Sequence, residues 1–171
     1  MERVLYKEIA MRKEIKFKLN GEAIALEVNP NEVLLEVLRD RLGAKSPKCG
    51  CDKGDCGTCT VMINGKTVRS CLVLAIEVDG QEVITLEGLI GSGLTPLQKS
   101  FIEHNSFQCG FCAPGMILSA TELLAKNQKP NKEEIQEALS GNLCRCTGYT
   151  PIIEAIIDLT KLRNTCLMLG R

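Results

Sequence analysis

Ten cysteines punctuate the 171-residue chain, and eight of them fall into three short stretches: CGCDKGDCGTC at 49–59, FQCGFCAPG at 107–115 and NLCRCTGYTP at 142–151. The other two are Cys71 and Cys166. Thiols this close together leave a chain few options, because its loops must either pair them as disulfides or gather them around metal. Ten in 171 is about 6%, below the roughly 8–10% of disulfide scaffolds. The opening MERVLYKEIAMRKEIKFKLNG interleaves charge with apolar residues and has no h-region, so no secretory signal is expected. Met11 is an equally good start. Cytoplasmic location follows as the expectation, and in a reducing compartment clustered cysteines hold metal.

The stretches sit in two halves that follow different patterns. EIKFKLNGEAIALEV alternates apolar and polar residues around Asn20-Gly21, a hairpin signal, and TVMINGKTVRSC repeats it around Asn64-Gly65. Between them NPNEVLLEVLRDRLG reads as a helix capped by Asn29 and ended by Gly43. VITLEGL supplies a last strand near 83–86. The second half is helical beyond a junction at 91–96. Helices start at Thr95-Pro96, with Gln98 placed for a capping box, at Pro114, at Asn131 and at Pro151. The expected domains are 1–90, with 1–12 a possible extension, and 91–171. Lys+Arg and Asp+Glu balance at 21 each, which leaves no footprint for nucleic acid. No run reaches the roughly 18 apolar residues of a membrane span.

Cys51, Cys56 and Cys59 have the spacing Cys-x4-Cys-x2-Cys, and Cys71 follows; this is the plant-type ligand spacing for a 2Fe–2S cluster. A cluster on four thiolates is anionic and needs inward amides, and Gly50, Gly54 and Gly57 permit the backbone turns that aim them. Lys48 and Lys53 either offset charge at the rim or are plain solvated lysines. Cys49 is left over as a bystander. Zinc competes, although zinc sites favour two separated pairs of ligands over one glycine-rich loop. Cys109-x2-Cys112 and Cys144-x-Cys146 form the second set. Each pair precedes a helix start, so two helix N-termini can face one anionic centre. Spacing alone leaves zinc open there as well.

GCDKGDCGTCTV, QCGFCAPGM and GNLCRCTGY, in that order, resemble the small iron–sulfur subunit of the molybdenum hydroxylases, the family of xanthine dehydrogenase, aldehyde oxidoreductase, aerobic carbon monoxide dehydrogenase and 4-hydroxybenzoyl-CoA reductase. The resemblance covers about residues 13–160. It implies an α+β chain: a β-grasp, ferredoxin-like domain with a 2Fe–2S cluster on Cys51, Cys56, Cys59 and Cys71, then a four-helix-bundle domain with a second on Cys109, Cys112, Cys144 and Cys146. It further implies that Gln108 and Cys146 approach the pterin of a molybdopterin cofactor in a large partner subunit. FAD is expected in a medium subunit, and the three form a heterotrimer that can dimerise. Two departures, Cys49 and Thr58 (alanine is commoner there), are expected to leave the ligands untouched.

The remaining candidates read as structural. Cys166 resembles a small buried hydrophobe, and His104, the only histidine, a surface residue. Phe107 and Phe111 read as packing, and Arg145 as a charge offset or partner contact. No acid–base pair, nucleophile or phosphate loop is present, so the expected chemistry is electron transfer within an oxidoreductase whose substrate site lies elsewhere. A free-standing two-cluster ferredoxin and a zinc-stabilised assembly module are the alternatives.

Overall fold

The structure, a computed structural model, describes residues 12–90 and 93–168, with side chains to 161. Residues 1–11, residues 91–92 of the expected junction and the side chain of Cys166 lie outside the described set.

Strands β1 (Lys13–Leu19) and β2 (Glu22–Val28) form the first hairpin. Asn20 and Gly21 turn it with φ of 54° and 87°, the left-handed pair that matches strand twist. Strands β3 (Thr60–Ile63) and β4 (Lys66–Arg69) form the second, turned by Asn64 and Gly65. β5 (Glu82–Ile84) lies between the hairpins, parallel to β1 and antiparallel to β3, giving the order β2-β1-β5-β3-β4. Ile15, Phe17 and Leu19 alternate inward from β1 onto Leu34, Val37 and Leu38 of helix α1. This helix is α-helical over Leu34–Glu36 and π-helical over Val37–Arg41. One helix clasped by two hairpins is the β-grasp arrangement.

Helix α1 starts later than its sequence suggests. Asn29 does not cap it; Val33 is drawn into a bridge with Leu74, and Leu34 N–H donates to Val73 C=O (2.8 Å). A non-local strand contact thus takes the residues expected to form the first turn. Gly43, at φ 72°, follows the end of the helix as expected.

The one-turn α2 (Leu86–Leu89) leads to the bundle of α3 (Pro96–Glu103), α4 (Ala113–Lys126), α5 (Lys132–Leu139) and α6 (Thr150–Met168). Thr95 with Gln98 and Asn131 with Glu134 close the two capping boxes. Met116, Ala120, Ile135, Leu139, Ile152 and Ile156 form a second core, separate from that of the sheet. Among the described residues no helix is long and apolar enough to cross a membrane.

Candidate metal centres

The loop between α1 and β3 brings the first thiols together. Cys59 opens the β3 end of the loop and Cys71 lies in the 3-10 turn after β4; both are buried beside Leu35, with their sulfurs 3.4 Å apart. Cys51 Sγ accepts from the backbone N–H groups of Lys53 and Cys56, each at 3.4 Å, and also meets the Cys56 side chain. Those amides, Cys56 before Lys53, draw the Cys51 thiol down to about 7. Burial pushes Cys71 up to about 11, against the Gly54 amide. Gly54 and Gly57 adopt positive φ as expected, whereas Gly50 does not. Gly50 matters for space: a Cβ there would stand 2.7 Å from Thr58 Oγ1 and 3.0 Å from Cys56 Sγ.

The second set gathers where two helix N-termini meet. Cys112 is the N-cap of α4, and the Cys144–Tyr149 loop feeds α6. Cys109 and Cys146 sulfurs are 3.7 Å apart at the exposed edge. Cys112 meets Cys144 inside, and burial pushes Cys112 up to about 12. Burial also acts against the Cys144 thiolate, but the Thr147 hydroxyl and the amides of Cys146 and Thr147 outweigh it and lower that thiol. Tyr149, at φ 68°, closes the loop: its hydroxyl accepts from Cys144 N–H (3.0 Å) and donates to Asn142 C=O (3.3 Å).

Among the described residues no three His, Cys, Asp or Glu side chains converge as around a single metal ion. The sulfurs meet in pairs instead: Cys51/Cys56, Cys59/Cys71, Cys109/Cys146 and Cys112/Cys144. Two thiolates on one tetrahedral metal at about 2.3 Å stand roughly 3.8 Å apart, close to the separations of 3.4 Å for Cys59/Cys71 and 3.7 Å for Cys109/Cys146. Two pairs with inward amides fit a dinuclear cluster better than one zinc.

Family models match the chain twice: a 2Fe-2S iron-sulfur cluster binding domain over residues 17–87 and a 2Fe-2S binding domain over 85–157. The chain is 48% identical to the nicotine 6-hydroxylase small subunit of Paenarthrobacter nicotinovorans, over 86% of this chain and 89% of that one. It is 50% identical to the nicotinate dehydrogenase small FeS subunit of Eubacterium barkeri, over 83% and 91%. The crystal structure of quinoline 2-oxidoreductase from Pseudomonas putida 86 superposes with TM-score 0.84 at 42% identity, covering 90% of this chain and 97% of that chain. The chain belongs to the small iron–sulfur subunits of the molybdenum hydroxylases. As a member of that family it is an electron-transfer subunit of an oxidoreductase, built for two 2Fe–2S clusters and without a substrate site of its own.

Within this iron–sulfur subunit Thr58 and His104 depart from the sequence reading, while the other candidates are placed as follows. Gln108 Nε2 donates to Cys146 C=O (3.2 Å), so the two residues expected at the pterin share one exposed edge. Thr58 does touch a ligand candidate: its hydroxyl is 3.2 Å from Cys56 Sγ and donates to Lys48 C=O (2.9 Å). His104 is half-buried between α3 and α6, bonded to Ser100 C=O (2.9 Å) and Asp158 (3.1 Å). Phe107 stacks edge-on against Phe101, as packing, while Phe111 is exposed beneath the Lys48 ammonium. Arg145 and Cys49 are exposed.

Two contributors were missed. Asn142 is buried between the domains, its amide donating to Gly57 C=O (2.9 Å) and its carbonyl accepting from Ser119 Oγ (2.8 Å). Glu87 accepts from the N–H groups of Lys45 and Ser46 and from the hydroxyls of Ser46 and Thr85, anchoring the entry to the first loop. Asn142 is the second residue of the motif GNLCRCTGY, the one signal that could have flagged it; Glu87 has none.

Proposed function

We propose that this chain carries electrons from a molybdopterin site in a large subunit to FAD in a medium subunit, through its helical domain first and its β-grasp domain second. Cys109, Cys112, Cys144 and Cys146 ligate the helical-domain cluster, and Cys51, Cys56, Cys59 and Cys71 the other, in the sulfur pairs described above. When bound, the clusters supply one-electron redox chemistry. The chain's own residues hold them at a fixed separation and shield them. The observation that carries the reading is a single hydrogen bond: Leu143 N–H, adjoining Cys144, donates to Cys56 C=O at 2.9 Å. One ligand residue of each set is thereby joined through main chain and one hydrogen bond.

The ends of the relay differ in the way this direction needs. Cys109, Cys146 and Gln108 form an exposed edge suited to a pterin held by the large subunit, and the Gln108 amide can both donate and accept. Exposed Ile90, Leu94 and Ile102 give the helical side apolar surface for that subunit, which favours an assembled chain over a free-standing ferredoxin. The working domain division is 1–90 and 91–171. The complex is a cytoplasmic heterotrimer that can dimerise, with the substrate chosen by the large subunit.

The test is purification of the full chain with its partners. The expected result is a red-brown complex containing molybdenum and flavin, with about four irons on this chain, that bleaches with dithionite. A colourless, zinc-loaded chain overturns the reading, and a fully active lone chain overturns the subunit assignment.

A further inference from the structure

Lys48 belongs to the β-grasp loop, yet its ammonium lies 5.5 Å from the centre of the Phe111 ring, which rises from the Cys109–Cys112 loop of the other domain. That loop carries Cys109 and Cys112, two of the helical-domain ligands proposed above. Phe111 is held against the β-grasp loop, since a Cβ on Gly50 would stand 3.4 Å from its ring edge. The lysine's main chain is fixed as well: Lys48 N–H donates to Thr58 C=O (2.9 Å), and Lys48 C=O accepts from Thr58 Oγ1. Two further charges lie nearby, Arg39 and Glu87, and they are of opposite sign. Lys48 thus holds a positive charge at this corner, its ammonium also donating to Ser46 C=O (3.4 Å).

From this geometry we infer that Lys48 is a positioning residue for electrons, lent by the β-grasp domain to the helical-domain cluster. The inference rests on the two-cluster reading above. Reduction of that cluster adds one electron and one negative charge, with no bond made or broken. A cation held over Phe111 stabilises the reduced form, raising the potential of the helical-domain cluster relative to its neighbour. Lys48 thus favours electron residence on the side where electrons enter, and does so only while the two domains are docked.

The test is an EPR-monitored redox titration of the full, cluster-loaded chain, reading both midpoint potentials. In Lys48→Gln the helical-domain midpoint falls and the β-grasp midpoint moves less, so the partition of one electron between them shifts about three- to tenfold toward the β-grasp domain. Lys48→Arg keeps both midpoints near wild type. Phe111→Leu, which frees the charge without removing it, moves the partition in the same direction by less. If Lys48→Gln fails to load iron, the Phe111→Leu titration decides. An unchanged gap between the midpoints, or a larger shift at the β-grasp cluster, overturns the inference and leaves the two-cluster reading standing. A wild-type chain that binds no iron overturns that reading instead.

Discussion

At the scale of single residues, Cys71 and Cys49 separate cleanly. Cys49 is the nearer in sequence to the loop thiols, but it is exposed, while Cys71 arrives from beyond β4 and lies 3.4 Å from Cys59. Cys71→Ser is expected to lose the β-grasp cluster, halving iron from about four to about two atoms per chain; Cys49→Ser keeps the full iron content and both EPR signals. The clustering of the loop thiols was legible because their spacing is local. The contacts of Thr58 and Glu87 were not, because each acts through neighbours that only the fold supplies; Ser46 and Glu87 are 41 positions apart. Burial opposes the charge of Glu87, yet hydrogen bonds from Ser46 and Thr85 hold its carboxyl at about 2, below its ordinary 4.5. A lowered folded value stabilises fully above the unfolded value and is lost as pH falls through the window from 4.5 to about 2. Glu87→Gln should therefore have a lower urea midpoint than wild type at pH 7, with the difference closing as pH drops through that window.

At the scale of elements, turns and caps were the most legible. Asn20-Gly21, Asn64-Gly65 and the capping boxes at Thr95 and Asn131 depend on residues within four positions of one another, so the chain states them locally. The start of α1 was not legible, because Val33 answers to Leu74, a partner from another part of the chain. The contact between α3 and α6 has the same non-local character. His104, the C-cap of α3, bonds first to Ser100 C=O and then to Asp158 of α6, and both hold its imidazolium above the ordinary 6.5. A raised folded value gives stability that is complete below 6.5 and is lost as pH rises through the folded value. Wild-type melting temperature is expected to fall by about 1–3 °C more than that of His104→Gln between pH 6 and pH 8.5, a small effect because the pair is partly solvated.

At the scale of the whole molecule, the two cores are separate; Leu86 and Leu89 of α2 pack against the bundle core, and polar groups complete the contact between the domains. Asn142 bridges Gly57 and Ser119, Arg69 donates to Gly141 C=O (2.8 Å), and Glu122 of α4 accepts from Thr67 of β4 (2.7 Å). Removing the Asn142 amide leaves the buried Ser119 hydroxyl without its acceptor and takes one of three donors from Gly57 C=O, which keeps the Thr60 N–H and hydroxyl, at a cost of about 1–3 kcal/mol. Asn142→Ala should lower the melting temperature by roughly 4–8 °C and split one calorimetric transition into two, as the domains uncouple. One unsplit transition at the wild-type temperature would remove Asn142 from this role. Two domains were legible from the change in pattern along the chain, but their docking was not: Gly57 and Asn142 are 85 positions apart, and neither announces the other. At the closest point of that docking main chain meets main chain, with the Asn142 amide beside it. A methyl group on Gly57 would stand 2.2 Å from Gly141 C=O, and one on Gly115 would stand 2.4 Å from Gly57 C=O. Main chain pressed on main chain is intolerant of one added carbon. A chimera that grafts either half from a distant relative should dock wherever those three glycines and Asn142 are kept.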